Sequence, residues 1–457
     1  MRRTAALVLL SLLLIAARRR AVTPHPSLSL DLRRSFAVTD QAILDGFSFE
    51  RVVNTIVERS GTRTTALRLC QQMFDTQNPK PGLAVADAPH CDDFLVDDKP
   101  GFNGLPRRCP TPEGILATTN PFAGTVYMPL ALINRFDLAS AGGSNCGQYR
   151  MIFAKKTATP GERIHFIFEA VLPNPVPTSG IEGCRGVAQF WADLSKIDSI
   201  SERRARLENF FFTGIAGFEP VIDADHYSLA SGGGIRSLHG TRAGLGGNRF
   251  YQFRLAKRGD ELIVEPDVLD NMPFGRFFDA TYDTAAARGF RDAFIQNVRN
   301  LAIRDVNLYF MNIPREFLMA ESDPVDGEFQ FIYGTPFIHS QVTPEGREFA
   351  GRITEELRKV GSTLSTTEVI TRAETLNCVG CHFIAGNVGE GVVFPQPVDQ
   401  FQHVSEQHIE SGEAGSRFAI SPAMRDVFIP HRMEILRRFL TAGTPPVHSN
   451  GSGRRTE

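Results

Sequence analysis

Two cysteines and a histidine in the stretch Cys378-Val379-Gly380-Cys381-His382 have a spacing that predicts a specific chemistry. Cysteines at positions i and i+3 lie about one helical turn apart, so both sulfurs can reach the two vinyl groups on one edge of a porphyrin. The histidine that follows can then offer its imidazole to iron as the proximal ligand. The motif therefore predicts one covalently attached haem (heme c), held by Cys378 and Cys381, with His382 bound to the iron.

The same two cysteines allow a second interpretation. A Cys-x-x-Cys pair can also close a local disulfide or supply half of a zinc site, with the histidine incidental. The chain would then be a secreted binding or structural protein without haem. The sequence shows no motif of the other common catalytic classes, since it contains no Gly-x-Ser-x-Gly, His-Glu-x-x-His or P-loop motif.

The N-terminus has the layout of a secretory signal peptide. Arg2 and Arg3 precede an apolar run from Ala5 to Ala17, which is too short to cross a bilayer comfortably. We therefore expect a signal peptide over residues 1–22, no stable membrane span, and a periplasmic or secreted protein. Covalent haem attachment takes place outside the cytoplasmic membrane in bacteria, so the motif and the export signal agree.

Composition limits the choice of partners. The chain has 457 residues, a formal net charge of −2 and a 42% hydrophobic share, which describes a globular protein of two or three domains. A charge balance this close to neutral gives no global attraction to nucleic acid or to a membrane surface. A redox partner protein is the expected partner, and the sequence does not identify it.

The other five cysteines lie in the first half of the chain. In an exported protein most of them should be oxidised, which leaves one odd thiol. Cys146 and Cys184 flank two predicted strands and form the favoured disulfide. Two of Cys70, Cys91 and Cys109 could form the other, and the sequence does not choose between them.

Extended segments dominate the region before residue 340. Strands are predicted over Gly124–Leu132, Tyr149–Phe153 and Arg163–Leu172, and a hairpin over Arg249–Leu255 and Glu261–Val264. Helical periodicity precedes them between Thr39 and Asn78. Residues 23–340 are therefore expected to form an α+β domain whose role the sequence does not assign.

The C-terminal third carries clear helix signals. One helix is predicted from Thr343 to a stop at Gly361, one from the capping box of Ser365 and Glu368, and one from Pro430 to a stop at Gly443. The second helix leads to the cysteine motif, and a glycine-rich loop separates the motif from the third. We expect residues 343–443 to form a small all-α domain and residues 444–457 a disordered tail.

This order of helix, Cys-x-x-Cys-His, long loop and terminal helix resembles a small class I c-type cytochrome domain over residues 362–443. The resemblance implies thioether bonds at Cys378 and Cys381 and a proximal His382. In that family a loop methionine often supplies the sixth iron ligand, and the residue that matches it here is Met424.

The identity of the sixth ligand stays open at this point. Met424 would raise the reduction potential, whereas His403 would give bis-imidazole coordination and a lower potential. If neither binds, the iron is five-coordinate and could react with a peroxide, as in a haem peroxidase-like enzyme. Arg425 and Arg432 could pair with the haem propionates.

The sequence thus predicts an α+β protein with a larger mixed N-terminal domain and a small helical haem domain. Its expected function is that of an exported monohaem c-type cytochrome-like protein that transfers electrons, because a single covalently held haem changes redox state with little rearrangement. Electron transfer is favoured over hydrolase or transferase activity.

Overall fold

The computed structural model describes residues 28–123, 127–156, 163–240, 248–322, 332–396 and 403–446, without the side chains of Asn248, Cys378, Val379 and Phe383. The predicted signal peptide and residues 447–457 of the predicted tail lie outside these ranges. Within the described ranges, every helix is too short or too polar to serve as a membrane span.

Fifteen strands are formed by the described residues. They are β1 Ala37–Val38, β2 Leu95–Val96, β3 Lys99–Phe102, β4 Leu105–Pro106, β5 Tyr127–Arg135, β6 Asn145–Lys155, β7 Ile164–Pro173, β8 Gly234–Gly240, β9 Asn248–Arg258, β10 Glu261–Asp267, β11 Glu321–Ser322, β12 Gly386–Asn387, β13 Val393–Phe394, β14 Val404–Gly412 and β15 Gly415–Ile420. Eight of them build one antiparallel sheet in the order β1-β5-β6-β7-β8-β9-β10, with β11 also paired to β9. This central sheet is the frame on which the rest of the molecule packs.

Twelve α-helices surround the sheet in the described ranges. They are α1 Leu32–Ser35, α2 Gln41–Leu44, α3 Phe49–Ser60, α4 Ala66–Asp75, α5 Arg185–Leu194, α6 Ile200–Glu208, α7 Ala285–Leu301, α8 Gly334–Ser340, α9 Pro344–Lys359, α10 Thr366–Glu374, α11 Cys378–Phe383 and α12 Ile429–Ala442. The predicted capping box is confirmed at the start of α10, where Ser365 and Glu368 cap each other's backbone amides. The predicted stop of the last helix is confirmed at Gly443, which ends α12 in a left-handed conformation.

One side of the central sheet is an aromatic face, formed by Tyr149, Phe153, Phe166, Phe168 and Phe253. These residues alternate along β6, β7 and β9 and are all at most 2% exposed. Helices α3, α4 and α5 cover this face and contribute to the same apolar core. The aromatic face is therefore an ordinary close-packed interior.

The opposite side is a charged face, formed by Arg150, Glu169, Arg236, Gln252 and Arg254, which occupy the alternate positions of the same strands. Arg150 lies opposite Glu169 across β6 and β7, with 3.1 Å between their charged atoms, and Arg236 approaches the same carboxylate to 3.2 Å. Successive side chains of a strand point to opposite faces of the sheet, so the same strands supply the aromatic residues of one face and the ionic residues of the other.

A second apolar core lies beyond β9 and is mainly helical. It joins α7, α9 and α10 with Phe250 of β9. Arg372 of α10 is fully buried at its border and donates hydrogen bonds to the carbonyl oxygens of Leu301, Ile303, Val388 and Gly389. This guanidinium fastens the loop after α11 to the end of α7.

The prediction of a small all-α domain over residues 343–443 is wrong. Two hairpins, β12–β13 and β14–β15, lie inside that range, so the C-terminal region is mixed α+β like the rest of the chain. Strands β14 and β15 lack a continuous alternation of apolar residues. Polar contacts with distant parts of the chain help to hold them in place. Glu410 pairs with Arg33, and Glu413 pairs with Arg34 and Arg203. The helix signals at both ends of the region therefore did not extend to its middle.

Two disulfides join loops of the first half. One links Cys146 with Cys184, the pair that the sequence favoured, with a Cα–Cα distance of 5.2 Å. The other links Cys91 with Cys109, which selects one of the pairings that the sequence left open. Cys70 is then the odd thiol, and it is 3% exposed within the core beneath the aromatic face.

Candidate functional site

The cysteine motif forms a short helix whose start is fixed by its neighbours in sequence. Asn377 caps α11, since its side-chain oxygen accepts a hydrogen bond of 2.5 Å from the amide of Gly380. Gly380 is required by close approach, because a Cβ atom there would lie 2.0 Å from the carbonyl oxygen of Glu374. These two contacts therefore fix the backbone that carries Cys381 and His382.

The imidazole of His382 lies beside the charged side of the sheet. Its ring centre is 6.1 Å from that of Phe250, which points from β9 to the side opposite the aromatic face. The ring of His403 lies 5.9 Å from that of His382, and the two ring planes make an angle of 77°. Two segments that are separated by about twenty residues in sequence thus bring their histidines together.

The spacing of these two rings allows them to share a metal ion. Imidazoles on opposite sides of one iron, each with a nitrogen about 2 Å from it, have ring centres about 6 Å apart. The backbone of His403 is held at this place by the residue that follows β15, because its carbonyl accepts a hydrogen bond of 2.9 Å from the amide of Ser421. The distance between the two rings is therefore compatible with two ligands of a single iron.

The other predicted site residues lie in different environments. Cys381 is half-buried against the first apolar core, and the side chain of Cys378 lies outside the described part. Met424 is 3% exposed in that core, at the start of a π-helical turn. Arg425 is solvent-exposed and pairs with its neighbour Asp426 at 2.7 Å.

Arg432 is a buried cation at the start of α12. Its side chain is 6% exposed, and it forms no hydrogen bond with another described residue. The carboxylate oxygen nearest to it is that of Asp137 at 3.9 Å, and Asp137 is already bound by Arg135 through a 2.8 Å ion pair. Burial and the charges of Arg135 and Arg150 hold the pKa of Arg432 well below its ordinary range. This guanidinium is suited to an additional anion, because a buried charge is costly when it is not paired.

The two histidines share this cationic environment. Burial of the ring, with the charges of His382, Arg432, Arg150 and Arg135, keeps the pKa of His403 well below its ordinary value. His403 is therefore neutral near pH 7, which is the form of imidazole that binds metals.

Several residues of this site escaped the sequence analysis. Asn377 could have been found, because an asparagine directly before a short helix is a common N-cap. Arg135, Arg150 and Phe250 carry no such signal, since each is a single residue in a strand and its role depends on the strand pairing. Their approach to His403 and His382 follows only from the fold.

Comparison with known proteins adds no assignment. The chain matches no protein-family model, no curated protein and no solved structure. In the part of the chain that the structure describes, no group of three or more His, Cys, Asp and Glu side chains could hold a metal ion. Two histidines are sufficient for an iron that a porphyrin already coordinates.

Proposed function

We propose that this protein is an exported monohaem c-type electron-transfer protein in which His382 and His403 are the two axial ligands. The observation that carries the proposal is the 5.9 Å separation of the two imidazole rings next to the Cys-x-x-Cys-His motif. Cys378 and Cys381 would hold the group through thioether bonds. The group would supply one-electron chemistry, and the chain would fix its position and exclude other ligands.

The arginines around the histidines support a ligand that carries carboxylates. A haem has two propionates, and Arg432 is a buried guanidinium whose carboxylate neighbour among the described residues, Asp137, lies 3.9 Å away. Arg135 and Arg150 add positive charge near His403. A dianionic edge would offset the cost of burying these cations, which an apolar ligand would not do.

The sixth ligand is assigned to His403 and not to Met424. Met424 is enclosed by an apolar core that explains its burial without a metal, whereas the ring of His403 lies with its centre 5.9 Å from that of His382. Ligation by two imidazoles would give a low reduction potential and would favour electron transfer over peroxide chemistry. The two disulfides support maturation in an oxidising compartment such as the periplasm.

The first test asks whether haem is attached. The full chain should be produced with a c-type haem maturation system, and its intact mass and haem stain on a denaturing gel should be measured. We expect the mass increment of one haem and a stained band, both absent from a Cys378→Ser/Cys381→Ser variant. A colourless wild-type protein whose mass fits a disulfide would instead support a binding or structural protein.

The second test identifies the sixth ligand. The optical spectrum of the reduced protein and its binding of carbon monoxide should be compared for wild type, His403→Ala and Met424→Leu. We expect His403→Ala to become high-spin and to bind carbon monoxide readily, while Met424→Leu keeps the wild-type spectrum. The opposite pattern would transfer the ligand role to Met424.

A further inference from the structure

The strand that follows His403 is poorly held by its own hairpin. Val404 pairs with Ile420, but the register shifts between Val404 and Ile409, so the intervening residues leave the regular ladder. A strand without regular pairing needs other contacts to keep one position. The side chain next to His403 that provides such contacts is that of Glu406.

Glu406 is bound to the central sheet by three polar contacts. Its two carboxylate oxygens accept hydrogen bonds from Arg163, at 2.6 Å from Nε and 2.8 Å from Nη2, and one oxygen lies 3.1 Å from Nε2 of His165. The carboxylate is 4% exposed. Bidentate pairing of this kind fixes orientation as well as distance.

We propose that Glu406 is a positioning residue for His403. Its pairing with Arg163 and His165 keeps the first residues of β14 on the central sheet, and so keeps His403 beside His382. When this pairing is lost, His403 would be held less firmly beside His382, and a small neutral ligand such as carbon monoxide would reach a bound haem more easily. The inference rests on the proposed function and adds to it a device that controls ligand access.

The far end of the same hairpin provides a matched control. Glu413 lies at the tip and also joins two arginines, Arg34 at 2.8 Å and Arg203 at 2.6 Å. Removing either carboxylate weakens the attachment of the hairpin, but Glu413 is separated from His403 by most of β14. Effects specific to Glu406 therefore report on the position of His403 and not on general loosening.

The experiment measures the rate at which the reduced haem protein binds carbon monoxide. We expect slow binding in wild type, limited by departure of His403, and an increase of about tenfold or more in Glu406→Gln, because a buried ion pair has been broken. Arg163→Gln, which removes the partner and leaves the hairpin sequence intact, should have the same effect. Glu413→Gln should stay within about twofold of wild type, because Glu413 lies at the other end of the hairpin from His403.

The outcomes separate this inference from the proposed function. Unchanged rates in both Glu406→Gln and Arg163→Gln, with fast binding in His403→Ala, would overturn the role of Glu406 and leave the ligand assignment intact. An equal acceleration in Glu413→Gln would also overturn it. If wild type and His403→Ala bind carbon monoxide equally fast, His403 is not the sixth ligand and both proposals are wrong.

Hydrogen exchange gives a second measurement that does not depend on the haem. In Glu406→Gln the amides of residues 404–408 should exchange faster, while those of β7 keep their wild-type protection. Unchanged exchange at residues 404–408 would mean that the carboxylate does not hold this strand, which contradicts the proposal.

Discussion

The two faces of the central sheet bury different chemistry, although the same strands form both. On the aromatic face, Phe166 of β7 lies with its ring centre 5.2 Å from Tyr127 and 5.5 Å from Phe49. On the charged face, the same strand carries His165 and Glu169, which lie within ion-pair distance of Glu406 and Arg150. One side is a packed interior and the other is a polar interior.

The comparison of the two faces indicates that the residues that stabilise the fold differ from those that surround the candidate site. Apolar packing contributes to folding directly, whereas a buried ionic network roughly offsets its own desolvation cost. A fold selected only for stability would gain little from the charged face. The charged face is also the side that His382 and His403 approach, so under the proposed function its polar groups have a role that packing does not explain.

The largest expected effect comes from the aromatic face. Phe166→Ala should lower the free energy of unfolding by about 3–5 kcal/mol, because a fully buried ring is lost and a cavity is left. Urea unfolding followed by circular dichroism measures this change. Ile167→Ala, one position along on the other side and partly exposed, should cost clearly less. Equal losses at the two positions would contradict the contrast between the faces.

Glu321 is an ionisable exception at the edge of the aromatic face. It pairs with Tyr251 across β11 and β9, is 2% exposed and forms no ion pair with a described residue. Burial raises its pKa from 4.5 to about 7, although a hydrogen bond from the amide of Arg108 and the charges of Arg107 and Arg108 act in the other direction.

The sign of the pH dependence follows from this raised pKa. The folded protein holds the proton more tightly than the unfolded chain, so stability falls as pH rises from about 4.5 to about 7, by about 3 kcal/mol at most. Glu321→Gln should remove this contribution to the pH dependence of the free energy of unfolding. A variant with the same pH dependence as wild type would mean that another group titrates there.

A buried cation near the charged face, Arg432 of α12, should respond in the opposite direction to the aromatic face. In the haem-free Cys378→Ser/Cys381→Ser background, Arg432→Met should raise the free energy of unfolding by about 1–3 kcal/mol, because it removes a buried and weakly paired charge. In the haem-loaded protein this gain should be smaller, since the guanidinium would then have anionic partners. A loss of stability in the haem-free protein as large as that of Phe166→Ala would make Arg432 a structural residue.

Local signals in the sequence predicted the elements that depend on nearby residues. The capping box at Ser365, the stop at Gly443 and the β9–β10 hairpin are each determined within a few positions, and all three are confirmed. The strand at β7 was also predicted within one residue at each end. These features need no knowledge of the rest of the fold.

Features that depend on distant pairing were not predictable in this way. The β14–β15 hairpin is stabilised in part by Arg33 and Arg163, which lie more than two hundred residues away in sequence. Its polar composition therefore resembles a loop when it is considered by itself. The approach of His403 to His382 depends on the same hairpin, so the two candidate ligands, His403 and Met424, could not be distinguished from the sequence.

The smallest expected effect concerns Cys70, the one thiol beneath the aromatic face. Burial raises the pKa of this thiol, and the side chain is 3% exposed, so it should not react with a thiol reagent in the folded protein. Cys70→Ala should lower the free energy of unfolding by only about 1 kcal/mol, because a small side chain is shortened.

Thiol counting in urea connects this residue to the haem proposal. Two disulfides and two thioether bonds would account for six of the seven cysteines, so the unfolded haem-loaded protein should release one reactive thiol and the Cys70→Ala variant none. Three reactive thiols in wild type would show that Cys378 and Cys381 carry no covalent bond. Reaction of Cys70 before unfolding would show that the aromatic face opens locally, which would contradict its description as a close-packed interior, in contrast to the polar interior of the charged face.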